Sequence, residues 1–171
     1  MTHAEFLRRV MRPAAAWAEM EAGVRTSPEA MRFLLAIAGQ ESECTHRYQV
    51  LASGNPGPAR SFYQGEAMGG MILCVTSRTL DAKITAAGRR LCEAASVRPE
   101  AAHIWRAIEG HDGLAHGLAR LLVLSDPAPL PARQEEAWRY YLRTWRPGAP
   151  RPEKWPRHWQ AAGIAVAAET A

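Results

Sequence analysis

The sequence lacks the features that would build a membrane span, a secreted disulfide scaffold or a repeat array. No apolar run approaches the ~20 residues needed to cross a bilayer. The amino terminus, MTHAEFLRRVMRP, has no long apolar stretch after its charges, so no secretory signal peptide is expected. Only 3 cysteines occur in 171 residues: Cys44, Cys74 and Cys92. They cannot all pair within one chain and lack the close spacing of a zinc site, so they read as reduced, small apolar core residues. No internal repeat and no shift in composition marks a boundary, so a single domain over 1–171 is expected. The patterning that is missing almost everywhere is the alternation of a half-buried strand.

What is present is a helical period in nearly every segment. With 47% apolar and 22% charged residues the composition is that of a globular protein able to bury a continuous core. The net charge of +4 and sequence pI near 9.3 favour polyanions in general, whether nucleic acid, anionic membrane or bacterial wall. A first helical segment, from about Ala4 to Met20, is interrupted by Pro13, which kinks it or starts a new helix. Ser27-Pro28-Glu29 combines a cap, a residue suited to the first helical position and an acid at the positive helix end, opening a helix through Ser42. Ser53–Ser61, rich in Gly and Pro, reads as a loop. Leu80, Ile84, Ala87 and Leu91 mark one helix face, and Arg98-Pro99 opens another helix through Trp105 and Ile108. Gly110 ends that helix, and Asp112 is placed to cap the next. An amphipathic helix from Glu135 to Trp145, a Pro/Gly break at 146–152 and a last helix near Trp159 complete the chain. The expected fold is an all-α bundle of about seven or eight helices. Residues 1–25 would form an amino-terminal helical extension, and 146–171 a Trp/Pro strap with the last helix.

Glu41 is the residue with a chemical question attached. Ala38, Ile37 and Leu34 lie three, four and seven residues before it, so it continues the apolar stripe of its helix. Burial and the negative helix end both raise a carboxyl pKa, and a protonated carboxyl near neutral pH is what glycosidic cleavage requires. Periodicity alone leaves a second reading open, in which Glu41 sits at a frayed helix end and turns to solvent.

LLAIAGQES followed by GPARSFYQ resembles the lysozyme-like superfamily that includes lytic transglycosylases and goose-type lysozymes. There a helix ending in Glu-Ser precedes a Gly-rich loop and a segment ending in Gln. Glu41-Ser42 matches the catalytic pair and Phe62-Tyr63-Gln64 the segment ending in Gln. HDGLAHGLARLL resembles the helix lining the far side of that cleft, with Asp112 where the family usually has Asn. AWRYYLRTW resembles the later aromatic segment, with Tyr140 or Tyr141 as its cleft tyrosine. The likeness extends to short bacteriophage proteins carrying GPARGFWQFE and YYLRxWRPGKPxPExW, which YYLRTWRPGAPRPEKW nearly repeats. It spans roughly Thr26 to Ala162. Ser61 stands where those proteins have Gly, and Gly65 where they have an aromatic, which implies either a wider sugar subsite or a degenerate groove.

The resemblance implies a lysozyme-like fold and a phage or prophage protein cutting the bond between N-acetylmuramic acid and N-acetylglucosamine, with no cofactor or metal. Glu41 would be the general acid and base. Ser42 and Gln64 would orient it or the substrate; Asp112 and Tyr63, Tyr140 and Tyr141 would contact the glycan. Glu43, Glu66 and Asp112 are candidate second carboxylates. The protein would be made in the host cytoplasm and reach the periplasmic wall after lysis, through a pore, or as part of a virion with other virion proteins as partners.

Three rival readings remain. A non-catalytic tail or ejection protein would keep the fold without the activity. Glu43 to His46 and Glu100 to His103 are Glu-x-x-His strings of the kind that ligate di-iron in bundles. The Arg- and Trp-rich tail from Arg139 to Arg157 could stack on nucleic acid. Against this last reading, Trp138, Tyr141, Leu142 and Trp145 fall at the intervals of a core stripe. His111 and His116, five apart, are expected to be surface or capping residues.

Overall fold

Two helices that are apolar almost all round organise the molecule. In the computed structural model, which describes residues 1–170, α3 (Pro28–Ser42) and α7 (Asp112–Leu124) are buried along nearly their whole lengths. A helix without a polar face cannot stop at the surface, so the others wrap around these two. Helix α2 (Arg12–Ala22), α4 (Gly70–Thr76), α5 (Ala82–Ala94) and α6 (Ala101–Gly110) pack on α7. Helix α9 (Trp155–Thr170) packs on α3, with α8 (Gln134–Trp145) against α9. The α3–α9 approach is close: a Cβ at Gly39 would run into the His158 ring. Leu34, Leu35, Ile37, Leu91, Ile104, Leu114 and Leu118 are among the fully buried side chains of one core.

The first segment begins with α1 (His3–Phe6), capped by Thr2 and Glu5 in a reciprocal box. A π-helical turn (Leu7–Met11) follows, in which Arg12 N–H donates to Leu7 O. Pro13 follows at once in a run that stays helical from His3 to Ala22, so the bond its missing N–H cannot make falls where the helix widens. Phe6, Leu7 and Met11 from this segment enter the core.

The molecule is largely helical, with one departure from the all-α expectation. The Ser53–Ser61 loop is half of a hairpin: β1 (Tyr48–Val50) pairs antiparallel with β2 (Pro56–Arg60), Tyr48 opposite Arg60 and Val50 opposite Pro56. Both strands of a two-stranded sheet are edges, which is where Pro56 and Pro58 can sit without leaving a ladder bond unmade. The short α4, between Gly69-Gly70 and Ser77, was also not expected as a helix; at seven residues it shows too few turns for a period. Asp112 does not cap α7. His111 does, its Nδ1 accepting from Leu114 N at 3.1 Å, and Asp112 is the first helical residue.

Candidate active site

Glu41 lies in the last turn of α3, half-buried at the rim of the core. The helix runs inward for fourteen residues on capped, apolar sequence, so its carboxyl-terminal turn delivers a carboxylate to a protein-lined edge. Tyr141 Oη donates to Glu41 Oε1 at 2.6 Å. Burial pushes the carboxyl up to about 7. The Tyr141 hydrogen bond and the charge of Arg151 work against that rise, and the charge of Glu66 adds to it. Tyr141 is itself held by packing, stacked on Trp155 with ring centres 5.2 Å apart and planes 17° apart.

The strap between α8 and α9 is tacked to the same helix end on either side of Glu41. Gln40 Nε2 donates to Arg151 O at 2.9 Å. On the other side, Glu43 receives Lys154 Nζ at 2.7 Å and Arg157 at 2.6 Å. Trp155 anchors the far end, its indole donating to Gln134 O at 3.1 Å. Trp155 and Trp159 are buried, as the strap reading requires. Trp145 turns its indole N–H inward to Tyr63 O at 3.1 Å.

The segment after the hairpin reverses in four residues. Arg60 and Gly65 exchange backbone hydrogen bonds of 2.9 and 2.7 Å, closing the turn Ser61–Gln64. Ser61 adopts φ +66° and Gln64 φ +51°. That left-handed position is one glycine would occupy without strain. Ser61 compensates by accepting from Tyr63 N at 3.2 Å through its hydroxyl. Gly65 does not widen a groove. A Cβ there would lie 3.0 Å from Ile108 Cδ1 and 3.1 Å from Met71 Sδ, so the position faces packed interior.

The remaining expected site residues divide sharply. Tyr141 reaches Glu41. Ser42 instead donates to Ala38 O at 2.8 Å within its own helix. Gln64 Nε2 donates to Ser61 O at 2.8 Å and braces the turn. Tyr63 is buried, its hydroxyl 2.9 Å from His116 Nδ1, while His116 Nε2 lies 3.0 Å from Thr26 Oγ1. Tyr140 is buried too and donates to Val123 O at 3.0 Å. Asp112 is engaged by Arg47 through two contacts of 2.5 and 2.8 Å. Of the three candidate second carboxylates, Glu43 and Asp112 are therefore neutralised elsewhere, and Glu66 is the one whose charge acts on Glu41. His111 caps as expected, but His116 is not a surface residue: it is 1% exposed, and burial lowers its pKa to about 3.

The cysteines are free and buried, Cys44 and Cys74 pushed up to about 12 and Cys92 to about 11 by burial. Among the described residues no group of three or more His, Cys, Asp and Glu could hold a metal, so the two Glu-x-x-His strings do not converge. No helix among the described residues is long and apolar enough to cross a membrane. Two surface depressions, one around Trp138, Pro152 and Trp155 and one around Trp17, His111 and Asp112, do not include Glu41 in their lining.

The sequence reading did not single out Arg47, and it took Arg151 only as part of the basic tail. Arg47 sits over the Phe62 ring at 4.6 Å while clamping Asp112, and no local pattern around it marks that role. No family model matches the chain, and neither any curated protein nor any solved structure matches it.

Proposed function

We propose that this chain is a phage or prophage peptidoglycan-cleaving protein of lytic transglycosylase or muramidase type, with Glu41 as its general acid and base. The observation that carries the reading is a carboxyl held near pKa 7 at the rim of the fold, hydrogen-bonded by Tyr141. Such a group is protonated often enough at neutral pH to give a proton and basic enough to take one back.

In this reading Glu41 protonates the glycosidic oxygen between N-acetylmuramic acid and N-acetylglucosamine as the C1–oxygen bond breaks. The carboxylate left behind then removes a proton from the muramic 6-hydroxyl, whose oxygen bonds to C1 as a 1,6-anhydro ring. Alternatively it removes the proton from water, which gives a reducing end. Tyr141 donates to Oε1 throughout and stabilises the carboxylate between the two steps. Because Tyr141 occupies Oε1, the proton in transit belongs on Oε2. Glu66 favours the protonated form of Glu41 before the first step, by charge repulsion.

A second reading has its own support. Ser42, Tyr63 and Tyr140 turn their hydroxyls into the protein, and Gly65 faces packed side chains. A tail or ejection protein that keeps this fold without cutting glycan would show that inward turn of expected substrate contacts.

Digestion of purified peptidoglycan by wild type and by Glu41→Gln, with products read by mass spectrometry, separates these readings. Anhydro-muropeptides from wild type alone support the transglycosylase, and reducing-end products the muramidase. No release by folded wild type removes the enzyme reading and leaves the structural one.

A further inference from the structure

Among the described residues, the strap carries one cation whose side chain makes no hydrogen bond or ion pair. Lys154 and Arg157 are taken by Glu43, and Arg146 Nε turns back to Arg143 O at 3.4 Å. Arg151 is exposed, and among the described residues its guanidinium has no hydrogen bond or ion pair. Its backbone, by contrast, is held firmly. Gln40, the residue beside Glu41, clamps its carbonyl, and Pro150 and Pro152 restrict the chain on both sides. The Lys154 and Arg157 contacts to Glu43 fix the strap a few residues further on. An exposed, unpaired guanidinium on a backbone pinned to the turn that carries a candidate catalytic carboxyl is suited to an anion on the molecule that reaches that carboxyl.

The glycan backbone of peptidoglycan has no carboxylate of its own at the muramoyl unit, where the lactyl group is amide-linked to the stem peptide. Free carboxylates are supplied by that peptide. We propose that Arg151 is a specificity-determining residue that binds a stem-peptide carboxylate, so that the site takes peptide-bearing glycan in preference to naked glycan. This rests on the peptidoglycan reading above. The competing use of Arg151 is internal, as a positive charge lowering the acidity threshold of Glu41 without touching substrate.

The test is calorimetric titration with soluble glycan strands that keep their stem peptides, and with naked strands, made by removing the peptides with an amidase and capping the lactyl carboxylates this exposes as methylamides. Wild type and Glu41→Gln are both titrated, so that binding is read with and without turnover. About tenfold tighter binding of the peptide-bearing strands is expected from both. Arg151→Gln should erase that preference and leave naked-strand affinity unchanged, while Arg151→Lys should keep part of it. Equal binding of the two strands by wild type overturns the proposal. So does an Arg151→Gln variant that keeps the preference, or one that weakens both strands equally while shifting the pH profile of cleavage, which is the signature of the internal role. Preference without cleavage by folded wild type removes the enzyme reading and leaves this assignment standing. Binding of neither strand removes both.

Discussion

Replacing Glu41 by Gln removes a titrating group but keeps its shape, so it measures what the carboxylate costs the fold. The free carboxyl ionises at its ordinary value of 4.5 and in the folded protein at about 7. The folded state therefore holds its proton longer than the unfolded chain does, and stability falls as pH rises from about 4.5 to about 7. Below that window the group is neutral in both states and the substitution changes little. Above it the full cost is present. At ~1.4 kcal/mol per tenfold, the rise corresponds to roughly 3 kcal/mol, which solvent at the rim discounts to about 1–3 kcal/mol. Glu41→Gln should thus be stabilised at pH 8 by about 1–3 kcal/mol, or roughly 3–10 °C in Tm for a chain of this size. Urea titration and calorimetry at pH 4, 6 and 8 measure this directly. A gain as large at pH 4 as at pH 8, or no gain at pH 8, refutes the claim that Glu41 is a buried carboxyl with raised affinity for its proton. The same variant abolishes glycan cleavage if the proposed function is right, so stability and activity move in opposite directions.

Tyr141→Phe removes the donor that stabilises the Glu41 carboxylate, so the carboxyl pKa should rise by about 1–2 units, taking a hydrogen bond to a charged group at ~1.5–3 kcal/mol. The Glu41 side-chain carbonyl resonance, followed by NMR against pH, checks this, and an unmoved midpoint contradicts it. Ser61→Ala keeps the left-handed strain and loses the hydroxyl that accepts from Tyr63 N, so it should lower stability by about 1 kcal/mol. Ser61→Gly relieves the strain and should be the milder change, as urea unfolding of the pair would reveal. Gly65→Phe, which restores the expected aromatic, should destabilise by about 1–3 kcal/mol because its side chain meets Ile108 and Met71; an unchanged Tm would show that the turn opens to accept it. His116 and His158 are buried neutral, at about 3 and about 4. Their folded values lie below 6.5, so the stability they contribute is present above about pH 6.5 and lost as pH falls toward 4. His158→Gln should flatten that acid slope in urea titrations, and an unaltered slope would place the proton uptake elsewhere.

Helix start signals were legible because they act through neighbours in sequence: Ser27 and Pro28 begin α3, and the period of Leu34, Ile37 and Ala38 carries Glu41 onto its buried stripe. The hairpin was hidden because Pro56, Gly57 and Pro58 argue against a strand everywhere except at an unpaired edge, and edges are set by topology. His116 was misread because a spacing of five from His111 says nothing about which helix face meets Tyr63 and Thr26.

Sequence by itself determined the helical character, the unpaired cysteines and the presence of one carboxylate on an apolar stripe. These follow from composition and from periods of three and four residues. Only tertiary structure decided which tyrosine Glu41 meets. Tyr140 and Tyr141 are adjacent in the chain, but a helix turns about 100° between them, so one enters the core toward Val123 and the other reaches Glu41. The same holds for charge. Glu43, Glu66, Asp112, Arg47 and Arg151 are ordinary residues in sequence, and the packing of α3, α7 and the strap pairs three of them off, leaving Glu66 and Arg151 to act on Glu41.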